Sequence, residues 1–310
     1  MFNMRNEFAK VITKLAMANP DIILLSGDIG NRLFDTLKKE YSNQFVNCGV
    51  AEANMIGVAC GLGMGGFKPF VYTITPFVTT RCLEQIRVDL AYHDVPVTIV
   101  GTGSGLSYAS LGPTHHSLED FAIFRAIPNI NIYAPWDRAS LRTCLSECLK
   151  SDGPNYIRIG KKGEPEITEN RDTLGVSGHY QIGSEGKLAI ISIGTIASEC
   201  LIAREILERK KIKTTLYLFQ QVKPFPIQSI NEVLSRHKHI LVVEEHSKTG
   251  GFGESIKSFI CDNNLQKNII NLGTDDMFLP SIGSQSFART FFKIDCSAIA
   301  NAGLSLMNRP

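Results

Sequence analysis

The chain has 310 residues, a net charge of +2 and a charged fraction of 20%. Because one α/β domain takes roughly 100–200 residues, this length accommodates two such domains with separate cores. The balanced charge argues against nucleic acid and membrane partners, and no stretch approaches the ~20 apolar residues of a membrane span. The 8 cysteines are scattered without a Cys-x-x-Cys pair, which indicates reduced thiols in a cytoplasmic protein.

Helix and strand patterns alternate along the first half of the chain. Residues 5–18 form an amphipathic pattern that ends at Asn19-Pro20. Short apolar runs predict buried strands at 22–25, 44–48, 69–74, 95–100, 130–134 and 156–160. Helical patterns are predicted at 53–66, 75–92, 117–126 and from Pro135-Trp136-Asp137 to Lys150. The alternation indicates a first α/β domain with a mostly parallel sheet, residues 1–165.

The second half repeats this plan after a polar stretch. Residues 166–183 are polar and irregular, which predicts a linker. Beyond it, strands are predicted at 188–193, 214–219 and 239–244, with helices at 197–209 and 227–237. The fold class is therefore α/β with two domains, the second a smaller one that covers residues 184–310.

Glu52 opens a long segment without other charges. No ionisable acid or base lies between Ala53 and Phe67, and several glycines interrupt this segment. A carboxylate in the first turn of a helix stabilises it by about 0.3–1 kcal/mol, so Glu52 has an ordinary structural interpretation. It is alternatively a buried functional carboxylate.

A second polar segment, Gly112-Pro113-Thr114-His115-His116-Ser117-Leu118-Glu119-Asp120, follows a glycine-rich loop at 101–105. The adjacent histidines lack the spacing with which a helix presents two imidazoles to one metal ion, so a metal site is not predicted. An imidazole beside a rigid Gly-Pro suits proton transfer or polarisation of a substrate oxygen, because its pKa lies near neutral pH. His115 is therefore a candidate catalytic residue.

Together, these two segments resemble the transketolase family of thiamin diphosphate enzymes. The stretch GVAEANMIGVACGLGMGGFKPF is similar to the Gly-[IV]-x-Glu region of that family, and GPTHHSLED is similar to its Gly-Pro-Thr-His-Gln motif. The resemblance begins near Arg5 and continues to the end of the chain. It implies a pyrimidine-binding domain followed by a transketolase C-terminal-like domain.

The resemblance also implies cofactor-binding residues. Glu52 corresponds to the family carboxylate that activates thiamin diphosphate through a ring nitrogen, and an apolar environment would favour its protonated form. Phe77 best matches the aromatic residue that stacks on the aminopyrimidine ring, with Val78 as a lesser candidate, although a Phe at such a junction is more often core. Arg81 is assigned to the same cofactor site.

Substrate-binding residues are implied at three further places. Asn31 and Arg32 follow the first strand, where ligands of open α/β sheets gather, although a solvated turn explains them equally well. Arg158 matches a family arginine that contacts substrate phosphate, and a surface arginine is the alternative. His115 is expected to bond substrate oxygens as well as to serve in catalysis.

The family's diphosphate and Mg²⁺ motif is expected on a separate N-terminal transketolase subunit, which would hold most of the cofactor in an α2β2 assembly. The implied reaction is transfer of a two-carbon ketol unit from a ketose, expected to be a phosphate, to an aldose. Leu111 and Gly103 replace an acidic residue and a histidine of many transketolases, which implies a different sugar. The alternatives are the beta subunit of a thiamin-dependent 2-oxo acid dehydrogenase and a non-catalytic structural half.

Overall fold

The computed structural model describes residues 3–30, 32–161, 163–168 and 175–308. The first half of the chain forms parallel strands β1 to β6, which are Ile22–Ser26, Phe45–Asn47, Lys68–Ile74, Thr98–Thr102, Asn131–Tyr133 and Asn155–Ile159. They lie in the order β5-β6-β4-β3-β1-β2, and every neighbouring pair is parallel. The predicted parallel sheet is confirmed.

Helices cover both faces of this sheet. Helices α1 to α7 are Met4–Ala18, Asp35–Glu40, Glu52–Met64, Thr75–Val78, Leu83–Gln85, Asp120–Ala126 and Arg138–Lys150. One face packs against α1, α2 and α7 through a cluster that includes Phe8, Leu37 and Leu141. The opposite face packs against α3 and α6 through Met55 and Phe121, among others. Burial on both faces explains why the strands are continuous apolar runs rather than alternating ones.

The prediction of a single helix at 75–92 is wrong. After α4 the chain turns at Thr79, with φ −102° and ψ −83°, and then forms a 3₁₀ turn, α5 and a π-helix over Ile86–Tyr92. The hydroxyls of Thr79 and Thr80 donate to the carbonyls four residues earlier, both at 2.9 Å. Such bonds bend helices, and consecutive β-branched residues add to the effect.

The second half of the chain contains strands β7 to β12, which are His179–Ile182, Leu188–Ile193, Thr214–Phe219, Gln221–Lys223, His239–Ser247 and Asn268–Thr274. Helices α8 to α12 are Ala197–Arg209, Ile227–Arg236, Phe252–Asp262, Gln285–Phe291 and Cys296–Met307. Within the described residues, the second sheet has five strands in the order β12-β11-β8-β9-β7. All of its pairs are parallel except β7 with β9. The α/β class predicted for this half is confirmed.

Three strands were not predicted from the sequence, and one of them is β12 at Asn268–Thr274. β7 lies inside the polar segment that was interpreted as linker, and it forms an antiparallel edge. β10 leaves the second half and pairs antiparallel with β5 of the first sheet, with Gln221 opposite Tyr133. The two halves of the molecule are therefore joined by a shared sheet as well as by side-chain contacts.

His246 belongs to the contact between the two halves. Its ring stacks on that of Phe121, with centroids 5.0 Å apart, and it is fully buried. Burial lowers the pKa of His246 to about 4, so the imidazole is neutral at neutral pH. His246 therefore has a structural place in this contact. No helix in the described part of the chain has the length and apolar character needed to span a membrane.

Candidate active site

The predicted site residues gather at one edge of the first sheet. Glu52 follows β2, Phe77 follows β3, and His115 lies in the long connection after β4. Because β1 to β6 are parallel, their carboxyl ends share this edge, and ligands of open α/β sheets bind there. The topology thus brings together residues that are far apart in sequence.

Glu52 begins α3, with a side chain that is almost fully buried. Its relative exposure is 3%, and a Cβ on Gly27 would lie 3.5 Å from its Cγ. Arg81 donates from Nη1 to Glu52 Oε2 at 2.8 Å. The carboxyl is therefore buried and paired with a cation. The expectation of an apolar environment is corrected on this point.

Arg81 links Glu52 to Phe77. Its guanidinium carbon lies 4.3 Å from the centroid of the Phe77 ring, a cation–π contact, while 46% of its side chain remains exposed. The break at Thr79 permits this arrangement, because α4 ends at Val78 and the chain changes direction before it reaches Arg81. The residues assigned to the cofactor site are thus neighbours in space.

His115 also contacts the Phe77 ring. The two ring centroids are 5.1 Å apart in an edge-to-face arrangement, and Thr114 Oγ1 lies 2.9 Å from His115 Nδ1. Partial burial and the positive charge of Lys161 lower the pKa of His115. The imidazole is therefore neutral at neutral pH and able to accept a proton.

Two further residues complete this arc, and the sequence interpretation did not include them. The ring of Tyr108 lies 5.9 Å from that of His115, and Lys161 Nζ lies 4.2 Å from the centroid of Tyr108. A side chain at Gly103 would overlap the Tyr108 ring, so tyrosine fills the space beside this glycine. The position of Lys161, two residues after β6, was the available signal, because it places a cation at the carboxyl edge.

The structure separates Arg32 and Arg158 from this arc. Asn31 lies outside the described residues. Arg32 is exposed with φ +62°, and it lines a shallow groove with Lys10 and Lys14 of α1. Its side chain is therefore directed toward α1, which agrees with the alternative of a solvated turn.

Arg158 lies neither at a substrate-binding surface nor on the solvent-exposed surface, which were its two predicted environments. It is only 2% exposed, and its Nη1 donates to Asp120 Oδ1 at 2.8 Å. Its Nη2 donates to the backbone oxygen of Glu245 at 2.7 Å, and its guanidinium lies over the ring of Phe121. Arg158 thus joins the two halves of the molecule. The prediction that it faces substrate is corrected, because protein groups surround the guanidinium.

Both halves of the chain match known family models. Residues 1–164 match the model of the transketolase pyrimidine binding domain, and residues 178–299 match that of the transketolase C-terminal domain. The chain belongs to the transketolase family.

Two transketolase relatives are similar over most of their length. An apulose-4-phosphate transketolase subunit of Phocaeicola vulgatus is 32% identical over 279 residues, which cover 89% of each protein. The 6-deoxy-6-sulfo-D-fructose transketolase subunit SqwH of Clostridium sp. is 29% identical over 312 residues, which cover 99% of this chain and 95% of that one. Both are named as subunits, so this chain is similar to transketolase polypeptides that form part of an enzyme.

Among solved structures, a split gene transketolase described as an inactive beta4 tetramer superposes with a TM-score of 0.89. Its sequence is 24% identical, and the match covers 99% of each chain. This likeness establishes the transketolase fold of the whole chain.

Proposed function

We propose that this chain is one subunit of a two-chain, thiamin diphosphate-dependent transketolase. The reaction would transfer a two-carbon ketol unit from an anionic ketose to an aldose. The observation that carries the proposal is the arc of side chains from Glu52 through Arg81 and Phe77 to His115 at the carboxyl edge of the sheet.

The residues of this arc fit the pyrimidine half of thiamin diphosphate. Glu52 offers a buried carboxyl that can bond a ring nitrogen, and the Phe77 ring lies beside it across the half-exposed guanidinium of Arg81. A Cβ on Gly27 would lie 3.0 Å from Thr73 Oγ1 and 3.5 Å from Glu52 Cγ, so a glycine is needed for this close packing beside Glu52.

Each residue of the arc has a definite task in this proposal. Glu52 would hold a proton at N1′ of the pyrimidine, and Phe77 would fix the plane of the ring. His115, neutral at neutral pH, would form a hydrogen bond to a hydroxyl or carbonyl oxygen of the sugar. It would also transfer the proton of the sugar hydroxyl. When bound, thiamin diphosphate supplies the nucleophilic carbon and the carbanion stabilisation that cleavage of a ketose C2–C3 bond requires.

Lys161 takes the place predicted for Arg158 as the cation near the substrate. Its Nζ lies 4.2 Å from the centroid of Tyr108, whose ring is 5.9 Å from that of His115, and its charge contributes to lowering the pKa of His115. A lysine at this place suits a phosphate or sulfonate group of a sugar, since an ammonium interacts with oxyanions as a point charge. Tyr108 fills the space beside Gly103. Leu111, three residues after Tyr108, is 48% exposed. These two positions favour a specialised sugar.

A partner subunit would complete the site. The exposed side of α3, directly behind Glu52, carries Val58 at 39% exposure and Met64 at 58%. A Cβ on Gly57 or Gly61 would meet nothing within 4 Å, so another polypeptide can approach this side closely. We propose that the N-terminal transketolase subunit covers it and supplies the diphosphate and Mg²⁺ site.

The test is reconstitution with the N-terminal transketolase subunit encoded in the same genome. Purified chain, partner and their mixture are assayed with phosphorylated and sulfonated ketoses and an aldose acceptor, with and without thiamin diphosphate. We expect cleavage only in the mixture and only with the cofactor. Oxidative decarboxylation of pyruvate by the mixture, without ketose cleavage, would instead indicate the 2-oxo acid dehydrogenase class.

A further inference from the structure

The loop that carries His115 is held by the second half of the molecule. This loop, residues 103–118, leaves β4 and returns to α6. Glu245, near the end of β11, accepts a hydrogen bond at Oε1 from the backbone N–H of Leu106, at 2.6 Å. Gln285 donates to the same oxygen at 2.9 Å. The carboxylate of Glu245 thus reaches from one half of the molecule to the backbone of the other.

The other oxygen of Glu245 is fixed within the second half. Arg289 donates from Nε to Glu245 Oε2 at 2.6 Å and from Nη1 to Glu199 Oε1 at 3.1 Å. Glu245 is 1% exposed and Arg289 is 8% exposed. Solvent therefore screens this ion pair little, and the carboxylate has one well-defined orientation toward the loop.

The loop is shaped to receive this carboxylate. Gly105 has φ +55°, and a Cβ there would lie 2.6 Å from Glu245 Cγ, so a side chain would push the carboxylate away. The carbonyl of Gly105 accepts from the N–H of Ser117 at 2.9 Å, which closes the loop two residues after His115. A displacement at the start of the loop is therefore transmitted to the segment that contains His115.

We propose that Glu245 is a positioning residue through which the C-terminal half fixes His115 beside Phe77. The proposal rests on the proposed function for its kinetic consequence, since it assigns the role of His115 to catalysis. It gives the C-terminal domain, which contributes none of the residues of the arc, a definite part in the reaction.

Glu244 provides a matched control for Glu245. It is the adjacent residue, it is also fully buried, and it accepts from the N–H groups of Phe252 and Gly253 and from Asn271 Nδ2. All of these partners lie within the second half. Glu244→Gln therefore perturbs a buried carboxylate at nearly the same place without touching the loop.

The first experiment is a double-mutant cycle on the reconstituted pair. A side-chain amide at position 245 has one acceptor oxygen, where the carboxylate has two. Glu245→Gln therefore removes the hydrogen bond from either Leu106 or Arg289. We expect kcat/KM to fall by about 10- to 100-fold, because small misplacements of a catalytic group cost that much. Glu244→Gln should stay within about twofold. Combined with His115→Ala, Glu245→Gln should add no further loss, since both changes act on the same group.

The proposal is overturned if the losses in kcat/KM from Glu245→Gln and His115→Ala multiply in the double variant. It is also overturned if Glu245→Gln has near-normal kcat/KM in an active pair. Amide hydrogen exchange on the full chain supplies a readout that does not depend on activity. Amides of residues 106–111 should exchange faster in Glu245→Gln than in Glu244→Gln, and equal protection in both would also overturn it. If the wild-type pair cleaves no ketose, the proposed function fails, and the exchange experiment still decides whether Glu245 holds the loop.

A milder variant keeps the test usable if Glu245→Gln does not fold. Thr195 Oγ1 lies 3.1 Å from Ser104 Oγ, across the same contact between the two halves. Thr195→Val removes this bond at nearly constant volume. We expect faster exchange at residues 103–106 and a smaller loss of kcat/KM, within about tenfold, and unchanged values of both would contradict the claim that the C-terminal half fixes this loop.

Discussion

Glu52 and Glu245 are both buried carboxylates, but their surroundings differ. Glu245 accepts from Leu106, Gln285 and Arg289, and these donors belong to the folded chain itself. Glu52 pairs with Arg81, whose side chain is 46% exposed, and it begins a helix with an exposed apolar side. A carboxylate surrounded by fixed donors stabilises and orients the protein. Glu52, whose partner Arg81 is half exposed, is the carboxylate that we propose for the ligand.

The largest effect on activity is expected at Glu52. In the reconstituted pair, Glu52→Gln should lower kcat by about 10³-fold or more, because the amide cannot hold a proton at the pyrimidine nitrogen. The melting temperature should change little, since the Arg81 partner is half exposed. Steady-state kinetics and thermal unfolding measure the two quantities. Glu84→Gln changes a residue of α5 whose side chain is 70% exposed, and this control should match wild type.

Arg158 should show the opposite behaviour. Arg158→Met leaves Asp120 buried without its cation, and breaking such a pair costs about 3–5 kcal/mol of unfolding free energy. Chemical denaturation of the full chain measures this loss, with Arg87→Met on the surface as control. A folded variant of normal stability with weakened binding of phosphorylated sugars would instead restore Arg158 as a substrate residue.

His115 should produce a pH-dependent effect. Its pKa is lowered from the usual 6.5, so the neutral form persists to lower pH, and activity should decline only as the pH falls below about 6.5. His115→Asn should lower kcat/KM by about 10²-fold and remove this acidic limb. A pH–rate profile of the pair tests both expectations, with His93→Asn on the surface as control. An unchanged limb would assign it to another group.

Lys161 should have the smallest effect of the four. Lys161→Gln should raise KM for phosphorylated or sulfonated donors by about tenfold and leave neutral ketoses unaffected, because one charge contact is lost. The loss of positive charge should also raise the pKa of His115 and shift the acidic limb to higher pH. Lys150→Gln, which is 68% exposed, is the control. Equal effects on charged and neutral sugars would contradict this role.

The sequence predicted the parallel strands of the first sheet because they are buried on both faces and read as apolar runs. It also predicted Glu52 and His115 as candidates, since each belongs to a distinctive segment. The break at Thr79 could not be predicted, because side-chain bonds to the backbone compete with helix formation in a context-dependent way. β10 has three residues, too few for any periodicity.

The roles of Arg158 and Lys161 show where sequence reasoning fails. Both lie at the end of β6, and both are cations suited to an oxyanion. The sequence does not show that Asp120 and the backbone of Glu245 converge on Arg158, because those contacts come from distant parts of the chain. Only the structure could identify Lys161 as the cation that lies beside Tyr108 and lowers the pKa of His115.

The most direct test of the central claim is titration calorimetry of thiamin diphosphate, with Mg²⁺ present, into the chain alone and into the reconstituted pair. The account predicts binding to the pair, no binding to the chain alone at micromolar concentration, and weakened binding to a pair that contains Glu52→Gln. Micromolar binding to the isolated chain, accompanied by turnover of a ketose, would contradict it.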